Sequence, residues 1–414
     1  MTSSFYLERQ VDRYLNGLFE QLPAVLITGP RAVGKTTTAK RFVRSIHRID
    51  IPAEAGAFSF DPDGALKAVQ EPVLLDEWQE VPELMGAVRR AVDIDPRPGR
   101  FLLTGSPRAA RGKRAWSGIG RVTNVTMYGL TVQESIGQGG QAGLIERLSE
   151  GRIDRFSINT DPPDLVGYIQ LAIRGGFPEV VMNLEGEARQ AWLETYVSQL
   201  VSHDVASHDG ARSTRLLGKF FEALCINSAG LADDKTIYDA AGVSRLTAKA
   251  YEQLFADLYV FENIPAWTNN RLSRLTRGPK RYITDSSLIA ATLHVDQRAI
   301  LRNSDLIERI LDTFVVSQLR PEREASSLRP RFYHLREKEG RKEIDLVIEL
   351  ADGNIVAIEI KASSALSNHD SRHLAWLRDT IGPRFVAGAV IHTGPRPFVL
   401  GDRIFALPIY SLWT

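Results

Sequence analysis

The chain has 414 residues, 43% of them hydrophobic and 24% charged, which suits two or three soluble domains with buried cores. Lys and Arg number 51 against 50 Asp and Glu, so net charge gives no argument for a nucleic-acid partner, and any basic surface has to be local. A single cysteine, Cys225, excludes an internal disulfide framework and suits a reducing, cytoplasmic setting; no uninterrupted apolar run reaches the ~18 residues of a membrane span, and Met1–Gln10 has no stretch of signal-peptide type.

Pro23–Thr28 is a short apolar run bounded by Pro and Gly, which predicts a buried strand. It leads into Gly29-Pro30-Arg31-Ala32-Val33-Gly34-Lys35-Thr36, a full G-x-x-x-x-G-K-[ST] phosphate loop, and Thr37 continues into helix-forming residues as far as Val43. The glycines let backbone N–H groups curl around phosphates, and the helix N-terminus adds partial positive charge. Residues 29–37 are therefore the expected ATP-binding segment. Lys35 is assigned to the β- and γ-phosphates and Thr36 to Mg²⁺. Val73–Glu77 reads as a second apolar strand ending in two carboxylates. Asp76 is expected to hold a metal-bound water and Glu77 to orient the attacking water. A third strand, Phe101–Thr104, ends in Gly105-Ser106. Ser106 is the candidate γ-phosphate sensor, with Thr104 as the alternative.

This stretch resembles the AAA-type ATPases. More closely, TGPRAVGKTT, LLDEWQEVPEL, FLLTGSP and Gly120-Arg121 resemble a prokaryotic group of such ATPases fused to a C-terminal domain of unknown function. The resemblance runs on through Arg174-Gly-Gly-Phe-Pro-Glu179, the C-terminal Glu-Ile-Asp and Glu-Ile-Lys, and Leu407–Trp413. It implies an additional strand between the phosphate-loop strand and the acidic strand. It also implies an arginine supplied by a neighbouring subunit, hence a homo-oligomer; Arg121 is the first candidate and Arg108 the second.

From about residue 130 the pattern turns helical, with a Gly/Gln-rich break at Gln138–Gly143 after the first domain. Arg189–Ala206 reads as a helix, and Asp204 at its end suits capping or salt-bridging. Thr236–Val260 reads as a helix-turn-helix, with Gly242 in the turn and Ser244 as cap. Leu246, Ala250, Leu254 and Leu258 form the expected core stripe, which leaves Arg245 and Lys249 outward. Arg271, Arg274, Arg277, Lys280 and Arg281 then follow in a hairpin-like stretch. A winged helix with a basic wing accounts for them, either contacting DNA or RNA phosphates or packing domains together.

The C-terminal domain is expected from residue 301. Two strands, Glu343–Leu350 and Ile355–Lys361, flank a three-residue loop in which Gly353 suits the left-handed position. That loop pairs Leu350 with Asn354 and sets Asp345 beside Glu359 and Glu343 beside Lys361. Opposed carboxylates are unfavourable, and a divalent cation between Asp345 and Glu359 relieves them, with Lys361 able to stabilise charge on a phosphate. This Asp…Glu-x-Lys pattern resembles the restriction-endonuclease-like nuclease core. The further acid of that core falls on the helix Ile307–Leu319, at Asp312 or Glu308. The expected organisation is thus α/β: an AAA-type P-loop domain (1–130), a helical middle (131–300) with a winged helix over about 215–293, and a nuclease-like domain (301–414). The expected function is a Mg-dependent ATPase acting with a nuclease-like domain on nucleic acid. The alternative is a regulatory ATP switch on a protein partner.

Overall fold

The computed structural model describes residues 6–105, 120–151, 156, 158–202, 210–274, 277–337, 341–367 and 369–414, with the backbone alone at 210–213 and 271. Two compact units emerge, one of Glu8–Gly129 and one made chiefly of Leu130–Ala256 and Val260–Thr414.

The first unit is built on a five-stranded parallel sheet. Its strands are β1 (Ala24–Thr28), β2 (Ser45–Arg48), β3 (Val73–Asp76), β4 (Phe101–Thr104) and β5 (Thr123–Thr126), in the order β2-β3-β4-β1-β5. β1, β3 and β4 are buried along their whole length, as parallel strands covered on both faces are. Leu26, Leu75 and Leu103 pack with Trp78, Leu84 and Val88 in one core cluster. Val25, Leu74 and Leu102 pack with Val11, Leu15 and Phe19 in another. β4 lies between β1 and β3, so an additional strand separates the phosphate loop from the acidic strand, as the resemblance implied. The register sets Thr104 opposite Ile27 on one side and Asp76 on the other.

The second unit begins with helices. Asp234–Ala241 and Arg245–Asp257 are joined by a short turn in which Gly242 has φ +68°. Ser244 Oγ accepts from the Thr247 N–H at 3.2 Å, the cap expected of it. The apolar stripe differs from expectation. Leu246 is 84% exposed, while Ala248, Glu252 and Phe255 are buried. A helix records which residues share a face, and here the face turned inward carries a glutamate that finds basic partners.

An antiparallel pair follows, β6 (Phe261–Ile264) with β7 (Lys280–Ile283). Then come a 22-residue helix, Ser304–Ala325, and a six-stranded sheet. Its strands are β8 (Arg331–Arg336), β9 (Glu343–Glu349), β10 (Ile355–Lys361), β11 (Phe385–His392), β12 (Phe398–Gly401) and β13 (Ile404–Pro408), in the order β12-β13-β11-β10-β9-β8. β8, β9 and β10 form an antiparallel meander, whereas β11 runs parallel to β10 after the helix Arg372–Ile381. The β9–β10 hairpin has the expected register. Leu350 N–H donates to Asn354 O at 2.8 Å, Gly353 has φ +85°, and the ladder runs from Ile355↔Glu349 to Ile358↔Leu346. Neither face is open to water along the ladder: Val347, Ile355 and Ala357 are as buried as Leu346, Ile348 and Val356.

Candidate functional site: a phosphate loop facing an acidic strand

The turn from β1 into the helix Lys35–Ala39 has a backbone that few residues tolerate. Gly29 has φ +137°, Ala32 +60° and Gly34 +94°. A Cβ on Gly29 would lie 2.0 Å from Met127 O, so this position is closed to any side chain. Turns of this kind line up successive N–H groups into a concave anion cradle. The loop is braced from within the unit by buried Arg9, which donates to Val33 O at 3.1 Å and Tyr128 O at 2.7 Å. Sequence reading missed Arg9, whose partners are carbonyls and leave no side-chain signal.

Lys35 Nζ donates to Gly29 O at 3.1 Å and Pro30 O at 2.6 Å, which folds the ammonium back over the loop. Burial pushes its pKa down to about 8; Arg31 pushes the same way, while Glu77 and Asp76 oppose. Asp76, at the end of β3, is 4% exposed. Its Oδ1 accepts from Thr36 Oγ1 at 2.8 Å and also from Thr104 Oγ1. Two strand ends and the loop helix thus converge on one carboxylate oxygen. Glu77 follows with φ +55°, an uncommon conformation for a non-glycine residue, and accepts from the Gln79 side-chain amide. Gln79 also fills the space beside Gly105, where a Cβ would meet its Oε1 at 2.0 Å. Ser106 and Arg108 lie outside the described residues, as does Asp204. Arg121 is exposed and ion-paired to Asp93 at 2.7 Å.

These groups suit a nucleotide triphosphate with its metal. The cradle is backbone-lined and closed to Cβ at Gly29. A half-buried ammonium lies against it, and a hydroxyl is already aligned on an acidic strand end. Thr36 with Asp76 would hold Mg²⁺, and Lys35 the phosphates.

Comparison with known proteins agrees with this geometry. Residues 21–136 match the family described as AAA domain. The first unit carries a P-loop domain of the AAA type. Residues 166–299 and 308–412 match two families each described as a domain of unknown function, DUF8612 and DUF4143. Uncharacterized protein Rv2008c of Mycobacterium tuberculosis and uncharacterized protein Mb2031c of Mycobacterium bovis are each 26% identical over 404 residues, 97% of this chain and 83% of theirs. Among solved structures, the Walker-type ATPase PABY2304 of Pyrococcus abyssi aligns over 70% of this chain and 96% of its own, at 14% identity and TM-score 0.42. AMPPCP-bound DnaA from Aquifex aeolicus aligns over 60% and 86%, at 15% identity and TM-score 0.27. No helix among the described residues is long and apolar enough to cross a membrane.

The basic stretch of the second unit departs from the expected wing. Lys280 and Arg281 are β7 residues, each 2% exposed. Arg281 pairs with Asp234 and with Glu252, the latter at 3.3 Å. Arg274 is buried, 2.7 Å from Glu349 and stacked over Trp267 and Tyr333. Among the described basic side chains of this stretch Arg277 alone is exposed, and it donates to Arg336 O at 3.0 Å. Inside a strand covered on both faces, Lys280 and Arg281 both point into protein, where carboxylates await them.

At the far end of the hairpin, the carboxyls of Asp345 and Glu359 act on each other electrostatically. Lys361 Nζ is 3.7 Å from Glu359 Oε2, and His373 Nδ1 is 3.8 Å from Glu359 Oε1. Burial and then Asp345 push the Glu359 carboxyl well above the carboxylate range. Asp345 is held down at about 2 against its burial, chiefly by Lys280. Asp312 does not stand open beside this pair as a metal ligand: it accepts from Lys280 at 2.7 Å and from Tyr282 OH at 3.0 Å. Glu308 is exposed on the same helix.

Proposed function

We propose that this protein is a Mg²⁺-dependent ATP hydrolase whose nucleotide state works as a regulatory switch on a protein partner. The observation that carries the ATPase reading is the single Asp76 oxygen joined to Thr36 of the loop and Thr104 of the inserted strand. In this reading Lys35 binds the β- and γ-phosphates, Thr36 and Asp76 hold the metal, and Glu77 orients water. Bound Mg²⁺ would neutralise phosphate charge as it develops. Glu77 follows the end of β3 with a left-handed backbone, and its charge acts on Lys35, which supports that role. Arg121 completes the site from a neighbouring subunit.

In the second unit, the helix pair ending in β6–β7 supports a winged-helix reading. The sequence of helix, three antiparallel strands, helix and parallel strand supports a restriction-endonuclease-like core. The burial of Arg274, Lys280 and Arg281 in ion pairs favours a protein partner over nucleic acid. The test is ATP turnover by the full chain with Mg²⁺, with and without DNA or RNA. Absence of turnover would sink the ATPase reading. Turnover stimulated by nucleic acid, with a steep salt dependence, would sink the switch reading and restore the nucleic-acid enzyme.

A further inference from the structure

The carboxylates that a metal-dependent nuclease needs converge in the second unit, and a cation is already among them. Lys280 Nζ lies 2.7 Å from Asp312 Oδ2 and 2.9 Å from Asp345 Oδ1. The remaining oxygen of each carboxylate also has a donor. Asp312 Oδ1 accepts from Tyr282 OH at 3.0 Å, and Asp345 Oδ2 accepts from the Ile360 N–H at 2.9 Å. Lys280 is not a loop residue that can swing away. It sits in β7, paired opposite Ile264 of β6, and its side chain is 2% exposed. Tyr282, two residues on and on the same side of the strand, reaches the same Asp312.

A divalent ion draws carboxylate oxygens to within about 2.0–2.6 Å and would need positions these donors occupy. It would also stand beside a buried ammonium, where repulsion is far less screened than in water. Among the described residues, no group of three or more His, Cys, Asp or Glu is placed to hold a metal. The residues therefore do not fit the metal centre that the Asp…Glu-x-Lys pattern suggested.

We infer that Lys280 is the resident cation of this cluster: it ties β7 to Asp312 of the Ser304–Ala325 helix and to Asp345 of β9, and the cluster is a structural tie with no place for a divalent metal. Lys361 then has no metal-bound phosphate to act on, and the nuclease-like core serves as a scaffold. This inference is independent of the ATPase reading, because its groups all lie in the second unit and its test uses no nucleotide.

The experiment is thermal unfolding of the full nucleotide-free chain with Mn²⁺ alone as probe. Wild type and Asp345→Asn are expected to show the same Mn²⁺-induced shift, since any remaining shift arises elsewhere; Glu359→Gln serves if Asp345→Asn does not fold. A larger rise in wild type than in the variant overturns the inference. Lys280→Met leaves two buried carboxylates without their cation and is expected to lower the unfolding midpoint by roughly 5–15 °C. An unchanged midpoint in a folded Lys280→Met protein also overturns it. Should Lys280→Met not fold, the Mn²⁺ comparison decides alone.

Discussion

ATP affinity should fall as pH rises through the titration of Lys35, and the structure sets where. Burial brings that ammonium down to about 8 from an ordinary 10.5. The triphosphate binds the protonated form, so above pH 8 binding must also take up a proton. About nine-tenths of Lys35 is charged near pH 7 and about one-tenth near pH 9, which gives a roughly tenfold loss of affinity, or about 1.4 kcal/mol. A lysine at its ordinary value would lose only a few per cent over the same range. The assay is equilibrium binding of a non-hydrolysable ATP analogue at a series of pH values. Glu77→Gln gives an internal control. Glu77 holds the Lys35 pKa up, so its removal should move the break to lower pH while binding itself persists. Constant affinity from pH 7 to 9 would refute the assignment of Lys35 as the buried phosphate contact. A break that stays put in Glu77→Gln would refute the stated electrostatic coupling.

Lys35→Ala should abolish tight ATP binding, whereas Glu77→Gln should retain ATP and lose turnover; turnover unchanged in either variant counts against the site. Gly29→Ala puts a Cβ 2.0 Å from Met127 O at φ +137°, so nucleotide binding should vanish, and full binding by that variant would mean the loop is not held as described. Arg281→Met leaves buried Glu252 with Lys249, 2.9 Å away, as its remaining ion-pair partner and should cost about 1–3 kcal/mol in denaturant unfolding, with Arg281→Met/Glu252→Gln recovering part of it. A loss below about 1 kcal/mol would mean the pair is not desolvated. Mixing Arg121→Ala with Lys35→Ala protein should restore some turnover if Arg121 acts across subunits; no recovery from normally assembled mixtures excludes that role.

What was legible in the sequence was what local chemistry decides. The phosphate loop is eight consecutive residues, and its strand–loop–helix setting is read from the neighbours on either side. The β9–β10 register followed from one loop length and one glycine, because the pairing partners lie close in sequence and one slip would have reversed every face. Thr104 was named only as the alternative to Ser106 for the γ-phosphate sensor, and its contact with Asp76 was not read from sequence, since which residues meet across strands is a matter of topology. Its signal was present in the small hydroxyl at the strand end.

The basic stretch was misread for the opposite reason. Five positive charges in eleven residues look like a surface when their counter-charges are out of sight. Arg281 meets Glu252 at a separation of 29 residues, and Lys280 meets Asp345 at 65. Local charge density carries no record of such partners. A signal did exist: Lys280 and Arg281 open the run Lys-Arg-Tyr-Ile, whose Tyr and Ile suit a strand, and a buried strand demands a carboxylate for each base on either face. The same point bears on composition. A chain with 51 basic and 50 acidic residues can be neutral because it is bland, or because its charges are matched pair by pair inside. Arg274 with Glu349, Arg281 with Glu252 and Lys280 with Asp312 and Asp345 belong to the second kind. Such pairs fix which strand meets which helix more than they add stability. Under the proposed switch, that is the property wanted of the second unit, which keeps its own register.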